Sequence, residues 1–266
     1  MSNNNIKVSQ SNIGDFLKIG SFNMRGANAP GKMESLCLWG ELEDMDIIGV
    51  QETNLTKAAT RGLFQSDKEG RFTDKHETYI LFWECGQNSK KKTAHLGSGV
   101  GIAIKKPWAA HVIRRVTFAG RGISIDMSFR TGFRLRVINC YIPSDKIISK
   151  EEIEKLDKWI KSESSDANRL LYSVVVMGDF NGVMNPKIDR KSETRKSSNP
   201  ETDLLQWISV QPLYDTYRTV LPVDRSYTCQ ETSRIDMIFI SHNLARRIWK
   251  VEHRSLAPGV LSDHLT

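Results

Sequence analysis

Two short, uninterrupted apolar runs constrain this chain more than any other feature. Asp46-Ile47-Ile48-Gly49-Val50 and Val174-Val175-Val176-Met177 have the length of strands and show no polar face. Runs of that kind fill strands buried on both sides, as in the middle of a layered fold. Each also releases polar groups at its tip. Gln51-Glu52 follows the first run, and Gly178-Asp179-Phe180-Asn181 follows the second. Ile235 to Ile240 repeats the pattern with Arg234 and Asp236 at its head, and Leu17 to Asn23 reads as a first strand.

The middle of the chain adds elements of other kinds. Ile123, Ile125, Met127 and Phe129 alternate with Ser124, Asp126 and Ser128, which predicts a half-buried strand. Phe133 to Tyr141 alternates likewise, with Arg134 and Arg136 pointing one way and Leu135 and Val137 the other. The Thr131-Gly132 link between them suits a hairpin. Ser149-Lys150-Glu151-Glu152 reads as a capping box, and Ile153, Leu156 and Ile160 follow on one face, predicting a helix over about 150–163. Lys32 to Met45 carries a rougher helical rhythm, and residues 1–15 read as a frayed, disordered polar tail. Hairpins, two-sided strands and a few helices imply an α+β sandwich and leave the topology open.

With 266 residues the chain has room for one or two domains. Hydrophobic residues make up 39% and charged residues 26%, which excludes a collagen, a mucin or a wholly disordered acidic chain. No apolar stretch approaches bilayer length, and Met1-Ser2-Asn3-Asn4-Asn5 lacks the apolar run of a secretory signal, so a soluble intracellular protein with no membrane partner is expected. Cys37, Cys85, Cys140 and Cys229 show no CxxC spacing, which argues for reduced, mostly buried thiols. The six tryptophans read as core or half-buried residues. Lysine and arginine exceed aspartate and glutamate by 38 to 31, a net +7 that suits a polyanionic partner. Three basic groups could be solvated charge or phosphate contacts: Lys187, Arg190, Lys191, Arg195 and Lys196; Lys90-Lys91-Lys92; and Arg134 with Arg136.

The polar strand tips are the candidates for chemistry: Asn23, Glu52, Asp179 with Asn181, Asp236, and Asp263 with His264. Carboxylates and carboxamides are hard oxygen donors suited to Mg²⁺. A histidine beside carboxylates can be held protonated or act as acid or base. Each alone has an ordinary reading as a turn former, a solvated strand end or a cap. Together they make a site only if the fold gathers them.

Six stretches resemble the endonuclease/exonuclease/phosphatase superfamily of Mg²⁺-dependent phosphodiesterases, in its order and spacing. They are Ser21-Phe22-Asn23-Met24-Arg25-Gly26, Gln51-Glu52-Thr53, Asn139-Cys140-Tyr141-Ile142-Pro143-Ser144, Gly178-Asp179-Phe180-Asn181, Ser233-Arg234-Ile235-Asp236 and Ser262-Asp263-His264. Within that superfamily, Asp179 to Pro186 running on to Asp189-Arg190 is similar to the apurinic-endonuclease-like domain of non-LTR (LINE-type) retrotransposons. The resemblance implies a four-layered α/β sandwich, two packed and mainly antiparallel β-sheets flanked by helices, as one domain over residues 16–266 with the active site at one end.

It also implies roles. Glu52 would hold Mg²⁺ (with Mn²⁺ as a substitute), and Asp263 would support the metal or the histidine loop. Asp179 would orient or deprotonate water, and Asn181 and Asn23 would hydrogen-bond the water, the phosphate or that carboxylate. Asp236 would clamp His264 beside the transition state. Tyr141 and Thr228 would contact phosphate. The basic loop over 187–196 leaves the candidate active-site strand, so Lys187 and Arg190 are expected on the nucleic acid backbone. The implied activity is single-strand nicking of DNA that leaves a 3′-hydroxyl, by a nuclear monomer whose reading frame continues into a reverse transcriptase. A lipid or inositol phosphate substrate, or a non-catalytic DNA-binding remnant, are the alternatives. Arg25 stands where repair-type relatives carry an acid, and Ser144 where many have Asn. Relatives continue past the Ser-Asp-His motif into a last strand, which this sequence, ending at Thr266, is expected to lack.

Overall fold

A computed structural model describes residues 16–29, 31–56, 60, 65–66, 72–74, 76–85, 98–143, 149–191 and 203–254. The expected tail at 1–15, Lys90 to Lys92, Ser144, Arg195, Lys196, Asp263, His264 and the question of a last strand lie outside them.

Strands β1 (Ile19–Asn23), β2 (Ile47–Gln51), β3 (Gln65–Ser66), β4 (Phe72–Thr73), β5 (Tyr79–Glu84) and β6 (Val100–Lys105) form one sheet in the order β1-β2-β6-β5-β4-β3. Strands β7 (Val112–Phe118), β8 (Gly122–Ser128), β9 (Arg134–Tyr141), β10 (Ser173–Asp179), β11 (Leu213–Asp215) and β12 (Asp236–Ser241) form a second, ordered β11-β12-β10-β9-β8-β7. Only β1–β2 and β9–β10 pair in parallel; the other neighbours are antiparallel. The helices are α1 (Lys32–Leu42), α2 (Lys106–Ala109), α3 (Lys150–Arg169), α4 (Pro186–Asp189), α5 (Asp203–Ser209), α6 (Thr216–Val220) and α7 (His242–Ala245). No described helix is long and apolar enough to cross a membrane.

Three apolar clusters define four layers. Ile47, Val100, Ile102 and Ile104 meet Ile125, Val137, Val175 and Met177 between the sheets. Met33, Leu36 and Cys37 of α1 pack on Phe22, Ile48 and Val50 outside the first sheet. Leu156, Ile160 and Ala167 of α3, with Leu204 and Ile208 of α5, cover Ile138, Val174 and Val176 outside the second. The two apolar runs are thus covered on both faces. Nine-tenths of a residue's apolar surface removed from water in this way is worth about 1.5–3 kcal/mol for each large side chain.

The strand expected to be half-buried is not. Ser124 and Asp126 are buried along with Ile123, Ile125 and Met127, because α3 lies over the outer face of β8. Arg136, read as a solvated or phosphate-facing charge, is fully buried there, whereas Arg134 is exposed. Its guanidinium donates to Asp126 Oδ1 and Oδ2 at 2.5 and 2.7 Å and to the Glu163 carbonyl at 2.8 Å. Arg114 adds a bidentate pair to Glu163 at 2.8 and 2.9 Å. This charged seat explains why α3 runs to Arg169, past the expected end near 163. Burial of Glu163, Ser164 and Ala167 continues the packed face where apolar periodicity has lapsed. The capping box at its start is present, Ser149 and Glu152 each accepting from the other's backbone amide. The hairpin also forms, with Gly132 at φ 82° and the Phe129 amide donating to Phe133 O. Cys37 and Cys140 are buried and all four thiols are free. Trp249 departs from the expectation, standing 80% exposed against Phe16.

A polar tie crosses the apolar interior. Asn139 of β9 donates to Val50 O at 2.9 Å and Gly101 O at 2.8 Å in the opposite sheet, and accepts from Gln51 Nε2 at 2.6 Å. Gly49 makes room for it, since a Cβ there would lie 2.6 Å from Met177 Cε and 3.1 Å from Asn139 Cγ. Losing a fully buried amide strands its former partners without water. Asn139→Ala is therefore expected to destabilise the chain by about 2–3 kcal/mol, read from the urea midpoint at unchanged m-value.

Candidate active site

Strand direction decides which tips meet. In the parallel β1–β2 pair, Asn23 lies opposite Gln51, so Asn23 and Glu52 leave the first sheet at one end. In the second sheet Tyr141 of β9 lies opposite Asp179 of β10, and antiparallel β12 brings its first residue, Asp236, opposite Asp179 from the other side. Gly178 permits that close approach. It holds φ 148°, and a Cβ there would sit 1.9 Å from Cys140 O.

The two sheets are joined at this end by one carboxamide. Asn23 Nδ2 donates to Asp179 Oδ2 at 2.7 Å, across 156 residues of chain, and to Glu52 Oε2 at 3.1 Å. Its Oδ1 accepts from the Arg25 amide at 2.9 Å. Asp179 Oδ1 accepts from the Asn181 amide at 2.8 Å, and Asn181 Nδ2 donates to Ile142 O at 2.8 Å. Asn23 and Asp179 are buried and Asn181 is half-buried.

Backbone conformation marks the same residues. Glu52 and Asn181 take left-handed φ of 50° and 46°. Asparagine tolerates that region, but glutamate does so only at a cost of about 1–3 kcal/mol. The Glu52 backbone is held there by its neighbours, whose amides and carbonyls run Gly26 N to Glu52 O at 2.7 Å and Thr53 N to Gly99 O at 3.0 Å.

Tyr141 is buried beside these carboxylates. Burial first, then Glu52 and Asp179, push its hydroxyl pKa up, so the phenol stays a proton donor. Arg121, which composition did not single out, lies with its guanidinium carbon 6.0 Å from the Tyr141 ring centre, and its carbonyl accepts from the Tyr141 amide at 2.9 Å. Lys32 is buried too, donating to Met24 O; burial and then Arg25 hold its pKa below the usual lysine value, against the pull of Glu52. Thr228 lies beneath the site. Its Oγ1 accepts from the Ile235 and Asp236 amides, both at 3.1 Å, and so fixes the start of β12. Lys187 is exposed on α4 and Arg190 half-buried after it.

A buried ionic cluster backs this arrangement. Arg234, fully buried, donates to Asp189 Oδ1 at 2.9 Å and to Asp215 Oδ2 at 2.5 Å, and Arg218 shares Asp189. Burial alone would raise the Asp189 pKa, but Arg234 and Arg218 hold it below the ordinary carboxylate range. The sequence shows Asp189 only as part of a motif and gives no signal for Asp215. Arg234, a charge next to a buried strand, is the one residue in the sequence that implies such buried acids. Alongside, the Tyr217 and His253 rings stack with centroids 3.9 Å apart, and His253 Nδ1 lies 2.8 Å from Ser226 Oγ.

Burial, then the nearby Arg234, lowers the His253 pKa to about 4, with Arg218 adding to the effect and Asp224 and Asp189 opposing it. The unfolded imidazole takes its proton near 6.5, so this group's contribution is complete above that pH and is lost as pH falls toward 4. Relative to His253→Gln, the parent is expected to lose about 2–3 kcal/mol more stability between pH 7.5 and 4.5, measured by paired unfolding curves.

The donors gathered at the strand tips are carboxylate and carboxamide oxygens, the set that suits a hard divalent cation. Among the described residues no three carboxylate, imidazole or thiol groups stand close enough to hold an ion by themselves. The residues fit a magnesium ion in donor chemistry, with Glu52 as its carboxylate among those described.

Solved structures share the architecture. An AP endonuclease, LMAP, from Leishmania major superposes with a TM-score of 0.73 at 14% identity, over 94% of this chain and 85% of its own. An AP endonuclease from Archaeoglobus fulgidus gives 0.66 at 20% identity, over 94% and 97%. The APE2 catalytic domain of Xenopus laevis gives 0.66 at 19% identity, over 94% and 90%. Among curated protein sequences nothing matches. The profile of the Endonuclease/Exonuclease/phosphatase family matches residues 20–264, from β1 through every tip described above to the Ser-Asp-His motif. With its four layers, its order of motifs and that match in agreement, the chain belongs to the Endonuclease/Exonuclease/phosphatase family.

Proposed function

We propose that the chain is a Mg²⁺-dependent phosphodiester hydrolase that nicks one strand of DNA and leaves a 3′-hydroxyl. The observation that carries this reading is Asn23 bonded at once to Glu52 and Asp179, which unites a metal-type carboxylate and a base-type carboxylate from different sheets. Family membership supports hydrolysis at phosphorus. The net charge of +7 suits a polyanionic substrate such as nucleic acid.

Asp179, held on one oxygen by Asn23 and on the other by the Asn181 amide, orients a water and accepts its proton. The water oxygen attacks phosphorus, the bond to the 3′ oxygen breaks, and that oxygen takes up a proton. Tyr141, kept protonated by burial, donates to a non-bridging phosphate oxygen. Asp236, its amide fixed by Thr228, is assigned the role of clamping His264, whose imidazole would stabilise the charge that builds on phosphorus. Glu52, with Asp263, would hold a Mg²⁺, for which Mn²⁺ would substitute, and the bound ion would supply neutralisation of charge on the phosphate. Lys187 and Arg190 contact the flanking backbone. The likeness of the Asp179–Arg190 stretch to retrotransposon endonucleases supports a nuclear monomer whose cut end primes reverse transcription.

Conversion of supercoiled plasmid to open circles is the test. Nicks are expected with Mg²⁺, absent with EDTA, and extended by a polymerase without end repair. Release of phosphate or a lipid headgroup with no DNA cut would overturn the reading.

A further inference from the structure

Beside the site stands a surface loop whose construction the hydrolysis does not require. Residues 219–225, the end of α6 and the loop that follows it, are exposed without interruption and include Val220 at 40%, Leu221 at 37%, Pro222, and Val223 at 80%. Free apolar side chains on a loop are ordinary; a loop held this firmly around them is not. Arg218 Nη1 donates to Leu221 O at 3.2 Å and to Asp224 O at 2.6 Å, closing the turn from inside. Tyr217 Oη donates to Asp224 Oδ2 at 2.6 Å, and Arg225 Nη2 donates to Lys187 O at 2.8 Å. The Tyr217–His253 stack and the contact of His253 with Ser226 brace its far side. Arg218 in turn shares Asp189 with Arg234, two residues before Asp236, and the loop runs directly into Thr228. The shelf is therefore tied through Arg218 and Asp189 to the segment that leads into Asp236.

Its charge selects an occupant. Arg225 follows the apolar tip and donates to the carbonyl of Lys187, which brings Lys187 alongside, while the one acid within the loop, Asp224, is engaged by Tyr217. An apolar tip between cations complements a nucleic acid groove, where phosphates flank sugar and base faces. We propose that the 220–225 loop is a duplex-contacting shelf, with Leu221, Pro222 and Val223 against sugars or base edges beside the cut and Arg225 on a phosphate. The shelf thereby sets which step of the duplex lies over Asp179. This rests on the nuclease reading and names an element that positions its substrate.

The test uses the full chain with Asp179→Asn to silence cutting, and a fluorescent 30-base-pair duplex titrated by anisotropy at several salt concentrations. Val223 is 80% exposed, so either sign of charge there is expected to leave the fold undisturbed. Val223→Glu is expected to weaken binding about tenfold and Val223→Lys to strengthen it, while Arg225→Ala lowers the slope of log affinity against log salt by about 0.9. Arg169→Ala, at the far end of α3, changes neither. In otherwise native chain, Val223→Glu also shifts the pattern of nick positions on a mapped duplex. Identical affinities and slopes for all the loop variants would overturn the proposal while cutting by the parent leaves the nuclease reading standing. A change of oligomeric state in sedimentation, with DNA binding unmoved, would assign the shelf to a second copy and overturn it as well. A parent that neither binds nor cuts duplex DNA removes the nuclease reading first.

Discussion

Asp179→Asn is expected to lower the initial rate of plasmid nicking by about a thousandfold at saturating Mg²⁺, since the amide cannot take the water's proton. The substitution preserves shape, and the bond from Asn181 N to Oδ1 has a carbonyl acceptor in either residue. Asn23 Nδ2, which donates to Oδ2, would face an amide nitrogen unless the new side chain turns over. A modest loss of stability, about 1–2 kcal/mol, is therefore expected beside the large loss of rate. Duplex affinity in EDTA should stay within about twofold, because no phosphate contact has been removed. Asn181→Ala, which removes the tether to Ile142 O, is expected to give a rate between those of the parent and Asp179→Asn. A variant that cuts as fast as the parent would take Asp179 out of the chemistry, whatever its place in the structure.

Asp189→Ala carries the largest expected effect on stability, about 3–5 kcal/mol, because it leaves the buried Arg234 and the nearby Arg218 facing each other with Asp215 as the remaining acid. Breaking a buried ionic cluster costs more than the cluster contributed, since the Arg234 charge left behind lies out of reach of water. Urea unfolding reads the loss directly. Asp189→Asn, which keeps two hydrogen-bond sites and the packing, is expected to recover part of it. Activity falls with the structure here, because Arg234 stands two residues before Asp236 and Thr228 N bonds to Ser233 O at 3.0 Å. The Asp189 contribution is present above the ordinary carboxylate pKa near 3.8 and is lost as pH falls through its lowered folded value. An unchanged urea midpoint for the alanine variant would show the cluster to be energetically inert.

What the sequence could disclose follows the range of the interactions involved. The capping box at Ser149 and the turn at Gly132 are satisfied within a few residues, so composition and spacing reveal them. Ile47 to Val50 and Val174 to Met177 announce burial on both faces because no polar side is present to meet water. The end of α3 and the depth of Arg136 were hidden for the opposite reason. They depend on a strand and a helix meeting across long separations, where a charged residue pattern looks solvated until its partners arrive. The tips Asn23, Glu52, Asp179 and Asp236 could be proposed as strand ends. Their union rests on parallel pairing in β1–β2 and β9–β10 and on the antiparallel return of β12, which local signals do not encode. Asp215 and Arg121 had no local signature at all, one serving as a buried counter-ion and the other leaning over a tyrosine from a hairpin turn.

The central claim is that a carboxamide from one sheet and a carboxylate from the other act as one unit on the reacting phosphate. A double-mutant cycle of nicking rates, with Asn23→Ala, Asp179→Asn and the two combined, tests it most directly. Direct bonding at 2.7 Å requires the effects to overlap, so the double variant should be slower than the worse single variant by less than about threefold. Effects that simply multiply would mean that the two side chains work independently, and would contradict the shared site.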